Sequence, residues 1–113
     1  MAVVYGIPNC DTIKKARKWL TDNNVEYDFH DYKKQGVNEV LLKRAIEEFG
    51  VDIVVNKRGT TYRQLPQETK DNLNAENAIA IVSANPSMIK RPIIDTGKQL
   101  LIGFNANEYA EVF

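Results

Sequence analysis

The N-terminal part of the chain changes twice between strand-like and helix-like hydrophobic patterns, and this order limits the folds that the chain can adopt. Val3-Val4-Tyr5 is a short continuous apolar run, as in a buried strand. Residues 12–23 carry apolar side chains at helical spacing, and residues 25–30 alternate between apolar and polar. Strand, helix and strand in this order predict a parallel strand pair joined by a right-handed crossover, and therefore an α/β fold.

The middle of the chain predicts further helices. Their signals are the apolar spacing over residues 37–49 with Gly50 at its end, the helix-starting Pro66, and the capping residue Asn74 before an apolar face that ends at Asn85-Pro86. Between these signals, residues 33–36 are predicted as a polar turn and residues 52–59 as an irregular connection.

The C-terminal part predicts a strand pair and a last helix. Residues 92–95 and 99–103 are apolar runs separated by Thr96-Gly97-Lys98, which indicates a hairpin because glycine accepts a positive φ. Residues 105–113 form a short helix candidate. The whole order predicts a mixed four-stranded sheet flanked by helices, in one domain that spans residues 1–113.

Composition narrows the classes of partner. The hydrophobic fraction of 43% in 113 residues is enough for one packed core. Fifteen basic residues balance fifteen acidic ones, so we expect no direct binding to nucleic acid or to an anionic membrane. No signal segment opens the chain and no apolar run approaches the ~20 residues of a membrane helix, which predicts a cytoplasmic protein with a reduced thiol.

Cys10, the one cysteine, lies where the first strand ends and the first helix begins. Unpaired N–H groups at a helix start favour negative charge, and a thiolate is the nucleophilic form of cysteine. The alternative is a small buried hydrophobe. Asn9, Asp11 and Thr12 are candidate caps of this helix. One cysteine and one histidine, Cys10 and His30, do not make a zinc signature, so no metal is expected.

Three other places offer groups that can bind an anion or a thiol. Arg91-Pro92 directly precedes the third predicted strand, and Pro92 has a functional reading as a cis proline that presents backbone to a bound thiol. Arg58 lies in a basic, glycine-containing loop, and Lys14 is close to the helix start. The alternatives are solvated surface charges and an edge-strand proline.

Two common cysteine motifs are absent from the sequence. A Cys-x-x-Cys redox pair needs a cysteine at position 13, which is Ile13. A phosphatase-type Cys-x5-Arg loop needs an arginine at position 16, which is Ala16. Disulfide cycling within the chain and a phosphatase-type phosphate loop are therefore disfavoured.

Three segments together resemble the arsenate reductase (ArsC) family, and within it the Spx/YffB-like branch. They are residues 5–16 around Cys10, residues 58–62, and residues 85–93 with Arg91-Pro92, and the resemblance extends from about Val3 to about Glu111. It implies a thioredoxin-like fold with a helical insertion between the second and third strands. It also implies that Cys10 is the catalytic thiolate and that Arg91 stabilises it or helps to bind an oxyanion.

The resemblance further implies a co-substrate. In glutaredoxin-linked members glutathione supplies the second thiol, so we expect glutathione and a small oxidised substrate as partners, with glutaredoxin as a further candidate. No resident cofactor and a monomer are expected. Asn9, Lys14, Arg58 and Pro92 are the candidate substrate-binding residues.

One departure from the family pattern bears on the substrate. Glutaredoxin-linked arsenate reductases place three arginines around the cysteine, but residues 101–104 hold no arginine and the first position aligns nearer Asn56 than Arg58, so Arg91 alone matches cleanly. Each lost charge-assisted hydrogen bond weakens anion binding by about 1.5–3 kcal/mol, which is at least tenfold. We therefore predict a glutathione-dependent thiol reductase that acts on a substrate other than arsenate. The alternatives are an Spx-like regulator that binds RNA polymerase and a weak arsenate reductase.

Overall fold

The structure, a computed structural model, describes residues 2–113 and has the predicted strand, helix and strand at its start. They are β1 (Ala2–Gly6), α1 (Asp11–Asp22) and β2 (Tyr27–Asp31). β1 and β2 are parallel, with a register that runs from Ala2 opposite Tyr27 to Gly6 opposite Asp31. The α/β interpretation of this segment is therefore confirmed.

Six helices and a 3-10 turn separate β2 from the next strand. They are α2 (Tyr32–Gln35), α3 (Glu39–Phe49), α4 (Val51–Val54), α5 (Thr60–Arg63), α6 (Gln67–Asp71), α7 (Ala75–Ala84) and the turn Pro86–Met88. This is the helical insertion expected between the second and third strands.

The last two strands complete one mixed sheet. β3 (Ile93–Asp95) and β4 (Leu100–Ile102) form the predicted antiparallel hairpin, whose loop contains Gly97 at φ 90°. β3 also pairs antiparallel with β1, so the strand order is β2-β1-β3-β4. The chain ends with α8 (Ala106–Val112). The predicted four-stranded mixed sheet flanked by helices is confirmed.

The described residues divide into two compact units. The first unit contains the chain up to Gln35 together with Arg91–Phe113, and the second contains Gly36–Lys90. The first unit holds the sheet, α1 and α8, and the second holds α3 to α7. The assignment of residues 1–113 to a single domain stays a prediction.

The core of the first unit forms where α1 packs on the sheet. Ala16 and Leu20 of α1 are fully buried against Val4 and Ile94, and Tyr109 of α8 belongs to the same cluster. Each large apolar side chain buried in this way contributes about 1.5–3 kcal/mol. The Tyr109 hydroxyl donates a hydrogen bond of 2.7 Å to the Gly103 carbonyl, which satisfies its polar end.

The second unit is held by packed helices with well-formed ends. Asn74, the predicted cap of α7, accepts the N–H groups of Glu76 and Asn77 at 2.9 Å, and Asn77 completes a capping box. Gly50 ends α3 at φ 89°, as its sequence position predicts. Backbone pairing between Val55 and Ile89 joins the segment after α4 to the segment after α7.

Two sequence predictions in the insertion were wrong. Residues 33–36, expected to be a turn, mostly belong to the helical turn α2, and residues 52–59, expected to be irregular, include most of α4. Both helices have four residues. One helical turn is too short to show a hydrophobic period. The start of α2 is stabilised by a local contact, in which the Asp31 carboxylate accepts the Lys33 N–H at 2.9 Å.

Candidate functional site

Cys10 occupies the N-cap position of α1, with φ −140° and ψ 129°. Its carbonyl accepts the Lys14 N–H at 2.9 Å, the first hydrogen bond of the helix. The expectation that Asn9, Asp11 or Thr12 caps α1 was therefore wrong. The expectation followed from the preference of oxygen-bearing side chains for this position, whereas here a thiol stands in the place that a hydroxyl or carboxylate usually takes.

The surroundings of Cys10 lower the pKa of its thiol. Partial burial alone would raise that pKa, but the N–H of Ile13, a hydrogen bond from the Arg91 side chain, the N–H of Thr12 and the charge of Arg91 together outweigh it. The side chain is half-buried and the thiol is free. The arrangement favours a thiolate that a substrate can reach, which is the condition for a nucleophilic cysteine.

Sheet pairing brings Arg91 to Cys10. Ile93 in β3 lies opposite Tyr5 in β1, so Arg91 and Pro92, just before β3, come to the end of β1 from which the chain continues to Cys10. The Arg91-Pro92 peptide bond is cis, and Pro92 is buried. The two residues named first in the sequence interpretation, Cys10 and Arg91, are thus in contact within the first unit.

Gly6 allows the start of α1 to approach the sheet. A Cβ atom at position 6 would overlap the Cδ1 methyl of Ile13 and would lie 3.9 Å from the Arg91 Cβ. Ile13 is fully buried, and its N–H is the first of the groups that lower the pKa of Cys10. The missing side chain at position 6 therefore helps to set the position of the N–H groups that face the sulfur.

Three of the other predicted site residues, Asn9, Lys14 and Arg58, are exposed. Asn9 is exposed beside Cys10 in sequence, and Lys14 is exposed on the first turn of α1. Arg58 belongs to the second unit, where it is exposed and its N–H donates to the Asn56 side-chain oxygen at 3.2 Å. The proposed roles of Asn9, Lys14, Arg58 and Pro92 in substrate binding stay predictions.

Sequence reasoning missed an aromatic group that consists of Tyr5, His30 and Tyr32. Ring centroids are 4.9 Å apart for Tyr5 and His30, 6.5 Å for Tyr5 and Tyr32, and 6.0 Å for His30 and Tyr32. Tyr32 is 2% exposed, and within residues 2–113 its buried hydroxyl has no hydrogen-bond partner. The parallel register of Tyr5 with His30 was the available signal, but it required knowing which strands pair.

A separate depression lies at the opposite end of the sheet from Cys10. It has a volume of about 650 Å³ and is lined by Ala2, Val25, Glu26, Thr96, Lys98, Gln99, Glu111, Val112 and Phe113. Ala2 begins β1 and Cys10 follows its end. None of the predicted site residues lines this depression.

The described residues show neither a metal-binding cluster nor a helix that could cross a membrane. Residues 2–113 contain no group of three or more His, Cys, Asp or Glu side chains placed to hold a metal ion. In the same range, no helix combines the length and apolar character that crossing a membrane requires.

A family model and two related sequences match nearly the whole chain. The model of the ArsC family matches residues 5–112. The chain is 48% identical over 113 residues to an uncharacterised protein of Haemophilus influenzae, covering 100% of this chain and 99% of that protein. It is 30% identical over 110 residues to the global transcriptional regulator Spx of Streptococcus agalactiae, covering 96% of this chain and 80% of that protein.

Comparison with solved structures gives the same fold. A YFFB protein superposes with a TM-score of 0.94 at 46% identity, covering 98% of this chain and 97% of that one. An arsenate reductase (ArsC) related protein from Brucella melitensis superposes with a TM-score of 0.75 at 41% identity, covering 97% and 92%. The thioredoxin-like fold of the ArsC family, which the resemblance implied, is confirmed.

Proposed function

The chain belongs to the ArsC family, and from this premise we propose that it is an oxidoreductase, a glutathione-dependent thiol reductase with Cys10 as nucleophile. The observation that carries the proposal is the lowered pKa of Cys10, which the first-turn N–H groups of α1 and the Arg91 side chain produce. A lowered pKa increases the fraction of thiolate at a given pH, and this favours attack on an oxidised sulfur because the thiolate is the reacting form.

The proposed reaction uses a mixed disulfide between a substrate thiol and glutathione. The Cys10 thiolate attacks the glutathione sulfur, a Cys10–glutathione disulfide forms, and the substrate leaves as a thiolate that takes a proton from water. The thiolate of a second glutathione then attacks this adduct, releases the Cys10 thiolate, and leaves as oxidised glutathione. In total, the mixed disulfide and one free glutathione are converted into the substrate thiol and one oxidised glutathione, so one disulfide is broken and one is formed.

Arg91 has two tasks in this scheme. It stabilises the Cys10 thiolate before attack, through the hydrogen bond and the charge that lower the pKa of the thiol. It also stabilises the same thiolate when glutathione displaces it in the second step, because a thiolate with a low pKa is the better leaving group. The second thiol comes from outside the chain, since the sequence contains one cysteine, and in this scheme glutathione supplies it.

The arginine pattern favours a disulfide over arsenate as substrate. A multiply charged oxyanion needs several charge-assisted hydrogen bonds, each worth about 1.5–3 kcal/mol. β4 consists of Leu100, Leu101 and Ile102, so the position at which the resemblance expects a third arginine is apolar. A disulfide carries no such charge at the reacting atoms and does not need that arginine.

Oxidised glutathione provides the direct test. We expect incubation of the reduced protein with oxidised glutathione to add one glutathione to Cys10, detected by intact-protein mass spectrometry, and free glutathione to remove it. Cys10→Ser is the matched control and acquires no adduct. A native protein that stays unmodified, or an adduct that free glutathione cannot displace, contradicts the proposal.

A second candidate function is a regulatory module that binds RNA polymerase. It is favoured by the 30% identity to a global transcriptional regulator Spx over 96% of this chain. Capture of purified RNA polymerase on the immobilised protein separates the two functions. Stoichiometric capture that persists in Cys10→Ser supports the module, whereas glutathione exchange without capture supports the enzyme.

A further inference from the structure

Tyr32 is a buried polar residue whose hydroxyl is unused by the fold. It begins α2 directly after β2, and its side chain is 2% exposed. The hydroxyl oxygen is buried and has no hydrogen-bond partner in the part of the chain that the structure describes. Burying a hydroxyl without a partner is unfavourable, and a phenylalanine of the same shape would avoid the penalty. The hydroxyl therefore calls for an explanation other than stability.

The sheet places Tyr32 and Arg91 on either side of Gly6. Gly6 lies opposite Asp31, the residue before Tyr32, and on its other side the position of a Gly6 Cβ would be 3.9 Å from the Arg91 Cβ. The Tyr32 ring packs on Tyr5, with centroids 6.5 Å apart and ring planes inclined by 26°. Tyr5 precedes Gly6, so the stacked rings of Tyr5 and Tyr32 lie beside this glycine, which stands between Tyr32 and Arg91. These two rings are called the aromatic wall below.

The electrostatics link the same two groups. Burial and the neighbouring Tyr5 raise the pKa of the Tyr32 phenol, and the charge of Arg91 partly offsets them. The same charge lowers the pKa of the Cys10 thiol. Arg91 therefore acts on a buried phenol and on the nucleophile at once.

We propose that Tyr32 is a positioning residue for Arg91, and that its hydroxyl oxygen and the aromatic wall keep the guanidinium beside Cys10. The oxygen keeps its lone pairs, because no donor in residues 2–113 occupies them, and a lone pair attracts a cation. The Nε of Arg91 is buried, but the residue as a whole is partly exposed, so its long side chain has a path towards solvent. An attractive group on the buried side opposes that motion. The inference rests on the proposed function, because it explains how Arg91 is kept in the position that the thiolate needs.

The proposal gives a definite sign for the effect of removing the hydroxyl. Tyr32→Phe keeps the ring and its contacts with Tyr5 and His30, but it removes the attraction for the guanidinium. Arg91 then spends less time beside Cys10, and the pKa of the thiol rises. We expect iodoacetamide alkylation of Cys10 at pH 6 to slow by about threefold, a coupling of the size typical for neighbouring side chains.

A double-mutant cycle distinguishes positioning from a general structural effect. The pH dependence of alkylation is measured for the native protein, Tyr32→Phe, Arg91→Gln and the double variant. We expect Tyr32→Phe to shift the native profile to higher pH and to add no shift in the Arg91→Gln background. A shift of equal size in both backgrounds overturns the proposal, because the hydroxyl would then act without Arg91.

Tyr27→Phe is the matched control. Tyr27 is a tyrosine of β2 whose hydroxyl instead accepts the Arg17 Nε–H at 3.0 Å, and its removal leaves the Cys10 profile unchanged. Thermal unfolding checks the fold of each variant. If Tyr32→Phe does not fold, a nuclear Overhauser contact between the Arg91 side chain and the Tyr32 ring in the native protein decides, and its absence overturns the proposal.

The pKa of Cys10 in the native protein and in Tyr32→Phe tests the proposed function and the role of Tyr32 separately. A native Cys10 with an ordinary thiol pKa overturns both. A lowered pKa that folded Tyr32→Phe leaves unchanged overturns only the role of Tyr32 and leaves the reductase standing. A lowered pKa that shifts in Tyr32→Phe, with no further shift when Arg91 is absent, supports both.

Discussion

The two compact units of the molecule are built from different kinds of contact. In the first unit, β1 at the start of the chain pairs with β3 near its end, and Tyr109 of α8 packs in the same core as Val4. In the second unit, helix caps and a glycine end provide local order, and one isolated bridge between Val55 and Ile89 joins distant segments. The proposed chemistry belongs to the first unit, because only pairing between distant segments brings Arg91 to Cys10.

Because of this difference, we expect substitutions in the two units to have different consequences for the chemistry of Cys10. A change in the first unit alters the strand ends that hold the nucleophile and its arginine. A change in the second unit alters helix stability, and the residues that lower the pKa of Cys10 all lie elsewhere.

Cys10→Ser should abolish glutathione exchange and leave the stability of both units almost unchanged. The thiol is half-buried and lies outside the core cluster around Ala16 and Leu20, so an isosteric hydroxyl keeps the packing while it removes the nucleophile. Loss of activity is measured by the release of a chromophoric thiol from its glutathione mixed disulfide. Residual exchange above the uncatalysed rate would show that Cys10 is not the nucleophile.

A matched pair of leucine truncations compares the two cores. Leu20 in the first unit and Leu42 in the second are both fully buried, so Leu20→Ala and Leu42→Ala should each reduce the free energy of unfolding by about 2–5 kcal/mol. Amide hydrogen exchange reports where the loss occurs. We expect Leu20→Ala to lower protection mainly in β1 and α1, and Leu42→Ala mainly in α3 and α7.

Equal loss of protection in both units from either leucine variant would contradict the distinction between them. In that case the chain opens as one cooperative body. The two units would then differ in the contacts that build them but would not unfold separately.

Gly6→Ala should destabilise the first unit by about 1–3 kcal/mol, the usual cost of overpacking. The new methyl would overlap the Cδ1 atom of the fully buried Ile13, which cannot move freely. The control is Gly59→Ala in the second unit, where φ is −76° and the nearest atom to a Cβ is the Asn56 Nδ2 at 3.4 Å. Denaturant unfolding that ranks Gly59→Ala as the more harmful change would disprove the close approach at Gly6.

Removal of a helix cap should have a smaller effect on stability, and one helix of each unit offers a cap for comparison. Asn74 accepts two N–H groups at the start of α7, whereas Asn105 accepts one, from Glu108 at 3.1 Å, at the start of α8. We expect Asn74→Ala to cost about 1 kcal/mol of stability and Asn105→Ala to cost less. The reverse order in thermal unfolding would mean that packing, not capping, determines the stability of these helix ends.

The pH dependence of stability is the smallest effect. Because the pKa of Cys10 is lowered in the folded protein, the unfolded chain binds more protons between that pKa and the ordinary value of about 8.5. The stability contributed by Cys10 therefore rises with pH across this interval and is lost as the pH falls through the lowered pKa. The difference in unfolding free energy between the native protein and Cys10→Ser measures it, and a difference that is flat with pH contradicts the lowered pKa.

Local signals made much of the fold predictable. Gly50 at the end of α3, Asn74 at the start of α7 and Gly97 in the hairpin each act through their own backbone or side chain, and the structure has all three as predicted. The one-turn helices α2, α4 and α5 were missed because four residues show no hydrophobic period.

The site was predictable only in part. The contact between Cys10 and Arg91 was predictable because strand ends meet at the edge of a sheet, and it follows from the pairing of β1 with β3, whereas their catalytic roles stay predictions. Tyr32 was missed because neither its burial nor its unpaired hydroxyl can be read before the register of β1 with β2 is known. The cap of α1 was wrong because cysteine is not among the usual capping residues.

The position of Cys10 at the cap of α1 also has a consequence for its reduction potential. The N–H groups of Ile13 and Thr12 and the Arg91 guanidinium stabilise a negatively charged sulfur, but they gain little from the neutral sulfur of a disulfide. If glutathione is the co-substrate as proposed, the reduced protein is therefore favoured over the glutathione adduct, which raises the reduction potential of the couple and makes the adduct a stronger oxidant than a mixed disulfide of an ordinary thiol. The local surroundings that make Cys10 reactive should thus keep each adduct short-lived.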